Sequence, residues 1–115
     1  MTVLEQIQEI SGLIYDIKAQ LSKDEKELER ITLSYLTSKD PKLLEELETL
    51  KNTVIEEYKK ISTYYESQSI KYLEISAQES DTFDKIGIVK MAGDRMRLAE
   101  EAIAKAHKVF DSHNF

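Results

Sequence analysis

From Pro41 to Glu79 the chain carries no glycine and no further proline, and apolar or amphipathic residues recur throughout at helical spacing. Leu43, Leu47, Leu50, Val54, Tyr58, Ile61, Tyr65, Gln68, Tyr72 and Ile75 fall at steps of three and four, with one extra step of four near Tyr58. That is a heptad seam with a stutter, which locally relaxes a left-handed supercoil. A helix of this length, about 58 Å at 1.5 Å per residue, cannot cover such a stripe by itself and needs partner helices along its whole run.

The flanking sequence supplies two partners. Val3, Ile7, Ile10, Ile14, Ile17, Leu21, Leu28, Ile31 and Tyr35 alternate steps of four and three, with Asp24 at the one polar position. Ser22-Lys23-Asp24-Glu25 has the local look of a capping box, yet the phase is kept across it, so one helix is expected over about 2–36. Gly12 lies off that stripe and costs roughly 1 kcal/mol. Thr37-Ser38-Lys39-Asp40-Pro41 is a clear stop and restart: Asp40 can cap the next helix and Pro41 suits its first turn. The second helix is expected over about 41–79. Ser80, Asp81 and Thr82 are cap residues for a third over about 82–112. There Ile88, Ala92, Met96, Ala99, Ile103, Ala106 and Phe110 centre the apolar arc, widened by Met91, Leu98, Ala102 and Val109, with alanines that allow close approach. His113, Asn114 and Phe115 are expected to fray.

Short turns between long helices imply antiparallel neighbours. The fold class is therefore all-α: residues 1–115 as one domain, an elongated up-down-up three-helix bundle with coiled-coil-like packing. The alternative is a helical hairpin that completes its core by dimerising. Charged residues at 33 % with only three Gly and one Pro suit long solvated helices. The lack of Cys removes disulfides and thiolate chemistry and agrees with a reducing, cytoplasmic setting. Neither a signal peptide nor a membrane span is expected.

No chemistry-bearing motif is visible: no phosphate-cradling Gly-rich loop, no Glu-x-x-His and no His pair at i and i+4. His107 and His113 are not at metal-ligand spacing, and His107 lacks the surroundings of a phosphotransfer histidine. The carboxylates Glu45, Glu46, Glu48, Glu56 and Glu57 lie off the stripe and are expected on a solvated face. No catalytic residue, metal, cofactor or small-molecule substrate is expected. Tyr58, Tyr65 and Tyr72 are expected to pack their rings inward with the hydroxyl at the wet edge.

The expected function is a non-enzymatic helical interaction or assembly module that binds another protein or itself. The net charge of −6 opposes bulk attraction to nucleic acid or anionic membrane. Residues 85–115, however, hold six Lys/Arg against four acids. The second expectation is accordingly an accessory subunit of a nucleoprotein complex that uses Lys90, Arg97 and Lys108, a stripe interrupted by Asp94 and Glu101. Turns near residues 39 and 81 set Gln68 level with Arg95, and Asp24 level with His107. These four are candidate polar layers of the core. The expected bonds are Arg95 to Gln68 or Glu66, and Asp24 to His107, with a snorkelling Arg95 as the alternative.

Overall fold

A computed structural model describes every residue from Met1 to Phe115. Three helices, α1 (Val3–Ser38), α2 (Pro41–Gln78) and α3 (Thr82–Ser112), run up, down and up. α1 is continuous through Ser22-Lys23-Asp24-Glu25, as the unbroken spacing requires. It opens with a capping box in which the Thr2 hydroxyl accepts from the Glu5 amide at 3.1 Å and the Glu5 carboxylate accepts from the Thr2 amide. It closes on Lys39 at φ 56°, the only non-glycine with positive φ, whose amide donates to the Tyr35 carbonyl. Asp40 then accepts from the Lys42 amide ahead of Pro41, and Asp81 accepts from the Phe83 and Asp84 amides at the start of α3.

α2 is the centre of a layer and not one of three equivalent edges. α1 packs on α2 and α2 on α3, but no Cα of α1 comes within 8 Å of a Cα of α3. The extents of 63 × 25 × 14 Å follow: long, and flattened in section. α2 consequently carries two seams. Toward α1 it buries Leu47, Val54, Ile61 and Gln68 against Ile7, Ile14, Leu21, Leu28 and Ile31. Leu50, expected in the core, is only half-buried, because it stands to one side of this seam.

Toward α3 the second seam repeats every seven residues as Ile55, Ser62, Ser69 and Ser76, all buried. It meets Ala92, Ala99 and Ala106. Small side chains on both sides bring the backbones close enough for the Ser62 hydroxyl to donate to the Ala99 carbonyl and the Ser69 hydroxyl to the Ala92 carbonyl, each at 2.8 Å. The arc of α3 is therefore centred on Ala92, Ala99, Ala102 and Ala106, and Phe110, placed at its centre by sequence, is 53 % exposed while Val109 turns inward. His113, Asn114 and Phe115 lie outside α3, as expected, but the end stays against the bundle. The Phe115 ring lies 5.7 Å from that of Tyr35, and the His113 carbonyl accepts from the buried Lys51 ammonium. Lys51 also lies under the Phe110 ring and pairs with Glu48, so a nearly dry cation is held at the negative end of α3.

Candidate interaction groove

Since α1 and α3 stay apart, the α2 face between them becomes the floor of a groove. Its floor is the heptad of tyrosines Tyr58, Tyr65 and Tyr72, each over nine-tenths buried, with rings inward and hydroxyls at the edge. Tyr58 donates to the Glu25 carboxylate at 2.8 Å, and Tyr65 accepts from the Lys18 ammonium at 2.7 Å. Burial, and then the hydrogen bond to Glu25, raise the Tyr58 phenol well above its ordinary value, so it stays a donor at any physiological pH.

Three hollows follow one another along this floor, each lined from all three helices. At the α2 C-terminal end, an open hollow of about 560 Å³ is lined by Leu4, Tyr72, Ile75, Ile88 and Met91 among others. The middle hollow, about 260 Å³, is lined by Tyr15, Lys18, Tyr65, Gln68, Arg95 and Leu98 among others. The third, about 320 Å³, lies among Lys18, Glu25, Tyr58, Leu98, Glu101 and Lys105. All three ion pairs of the molecule, Glu27 with Arg30, Glu48 with Lys51 and Glu56 with Lys59, lie within single helices elsewhere. Every charge on the groove walls is thus without an opposite charge within 4 Å.

The candidate polar layers are partly assembled. Gln68 and Arg95 line the same hollow, as their level predicts, but do not bond to each other. Gln68 is fully buried and donates to the Ile7 carbonyl at 2.9 Å and the Ser11 hydroxyl at 2.8 Å, leaving its Oε1 without a partner in the chain. The Arg95 guanidinium lies 6.0 Å from the centroid of the Tyr72 ring, with its Nε buried and unpartnered. Asp24 and His107 do not meet, because α1 and α3 are held apart and His107 faces solvent. Asp24 accepts from Gln20 and lies against Glu57 across the α1·α2 seam.

Glu57 corrects the expectation of a solvated acidic face. Desolvation first, then the Asp24 carboxylate against it and the nearby charge of Glu25, raise its carboxyl to about 7, and its Oε1 is buried without a partner. Sequence reasoning missed this pair because Glu57 lies off both apolar stripes. It missed the serine seam because a seven-residue serine repeat reads as polar surface. Lys90, Arg97 and Lys108 are exposed on the outer side of α3, away from the groove. No cluster of three or more His, Asp or Glu is close enough to hold a metal ion, and no helix is long and apolar enough to cross a membrane.

Fold and groove together define a class: an open-faced three-helix layer with an amphipathic slot between its outer helices. No family model matches the chain, and neither a curated protein nor a solved structure matches it significantly.

Proposed function

We propose that the chain is a non-enzymatic helical interaction module whose groove between α1 and α3 receives a helix from a protein partner, in a cytoplasmic setting in keeping with its lack of Cys. The observation that carries this reading is the groove itself. Three hollows run in line on a tyrosine floor, with the apolar side chains Leu4, Met91 and Leu98 and unpaired charges along the walls. A slot between two parallel ridges accepts an amphipathic helix by the ordinary ridge-and-groove rule, with anchors at i, i+3, i+4 and i+7. The reading needs no cofactor, metal or small-molecule substrate.

A second reading, contact with nucleic acid as an accessory subunit, rests on Lys90, Arg97 and Lys108, which are exposed and unpaired. Asp94 and Glu101 on the same helix weaken it. Two sets of variants separate the readings. Met91→Glu and Leu98→Glu should abolish partner capture while Lys90→Glu with Arg97→Glu and Lys108→Glu leaves it intact. The opposite pattern, with binding to nucleic acid that falls steeply as salt rises, would replace the first reading by the second.

A further inference from the structure

We propose that the partner helix carries one acidic side chain, aspartate or glutamate, that enters the middle hollow between Lys18 and Arg95, with a large apolar anchor seven residues away in the hollow at the α2 C-terminal end. This rests on the reading of the groove as a docking site and names the chemistry of what docks there.

The sign of the charge carries the first step. The middle hollow is lined by two cations, Lys18 and Arg95, and by no acid. The hollow next to it sets Lys18 and Lys105 against Glu25 and Glu101, and the hollow at the α2 C-terminal end has Glu79 as its only charge. One positive level therefore stands in a groove whose cations, Lys18, Arg95 and Lys105, are matched in number by its acids. A uniformly acidic partner would set carboxylates against Glu25, Glu79 and Glu101, so the complement is a single acid at the middle level.

The second step is a surplus of donors at that level. The Lys18 ammonium donates at 2.7 Å to the Tyr65 hydroxyl, a neutral group, which leaves the hydrogen of that hydroxyl without an acceptor in the chain. Arg95 pairs with no carboxylate, and its Nε is buried without an acceptor. Gln68 turns its amide hydrogens to the Ile7 carbonyl and the Ser11 hydroxyl, so the donors left for a ligand are those of Lys18, Tyr65 and Arg95. The buried Gln68 Oε1, also unpartnered, is a single neutral acceptor against these three donor groups. A carboxylate answers such a set, because charge-assisted bonds to ammonium and guanidinium are the stronger kind.

Spacing supplies the third step. Tyr65 and Gln68 line the middle hollow, and Tyr72 and Ile75, seven residues on, line the end one beside Leu4, Ile88 and Met91. A helix lying along this floor advances about 10 Å in seven residues and returns nearly to the same face. The acid and the apolar anchor are thus set at i and i+7, in either order.

The experiment selects binders of the full natural chain from a displayed library of amphipathic helices of about five turns, randomised on the buried face. The expected result is recovery of helices with Asp or Glu at one position of that face and a large apolar residue seven positions from it. Replacing that acid by its amide in a synthesised binder should weaken binding to the natural chain at least about tenfold, and binding to Lys18→Gln/Arg95→Gln less than about twofold. Helical circular dichroism checks that the variant folds. Should it not, Lys18→Gln alone, at an exposed position, carries the comparison, and the tenfold loss should shrink there too. Binders that show no preferred acid, or an acid whose replacement costs as much in the variant as in the natural chain, overturn the proposal. If those binders are lost in Met91→Glu and Leu98→Glu, the groove remains a docking site and only the acid is removed. Binders indifferent to both substitutions, or no binders at all, remove the docking site and the proposal with it.

Discussion

Glu57 shows how a single side chain can carry a penalty that spacing alone conceals. Its carboxyl titrates near 7 in the folded protein, against an ordinary 4.5. Between those values the folded chain holds a proton that the unfolded chain has released. Stability therefore falls as pH rises through this window and is lowest above it. Glu57→Gln removes the ionisable group and keeps an amide that can donate to Asp24. We expect the variant to be about 1 kcal/mol more stable above pH 8, an amount already reduced for the water that reaches this half-buried site, and no more stable near pH 4. Urea unfolding at the two pH values measures it. An equal gain at both would mean that packing rather than charge is responsible.

The two seams of α2 use different chemistry, and substitutions should tell them apart. Toward α1 large aliphatics interlock, and Ile61→Ala should cost about 2 to 5 kcal/mol by opening a cavity. Toward α3 the close approach is set by Ser62, Ser69, Ala92 and Ala99, which leave no room for growth. Ser69→Ala should cost under about 1.5 kcal/mol, since it removes one hydrogen bond and leaves no donor orphaned. Ala99→Leu should cost about 1 to 3 kcal/mol through overpacking, although leucine is as apolar as the seam requires. Thermal unfolding of the three variants provides the comparison. The same contrast explains what was legible in the sequence. Helix bounds were plain because Asp40, Pro41 and Asp81 act through local backbone chemistry. The α1 stripe was plain because Ile and Leu announce burial at heptad spacing. The seam with α3 was half legible: alanines signalled close approach, but the serines facing them look like surface until their carbonyl acceptors are known. Phe110 was misplaced for the reverse reason, being a large apolar residue beside a narrow contact that has space only for alanine. The groove was not legible, since no single stripe records that α1 and α3 fail to touch; its tyrosine floor was, as a heptad of rings with wet hydroxyls.

At the scale of the whole molecule, α1 and α3 keep their backbones more than 8 Å apart, so each of the two outer helices is held chiefly by α2. Each can open without disturbing the other, so local stability should be ordered by proximity to α2 and not by sequence position. Hydrogen exchange of the natural chain at high dilution should find the slowest amides in the middle of α2, around Val54, Ile61 and Gln68, which are buried from the α1 side and flanked by the serine seam. Ile14→Ala, which weakens chiefly the α1 seam, should then speed exchange along α1 while leaving α3 amides near Ala99 within about 0.5 kcal/mol of their former protection. A closed bundle in which all three helices meet would transmit the loss to α3. Coupling between α1 and α3 in this measurement would contradict the open layer.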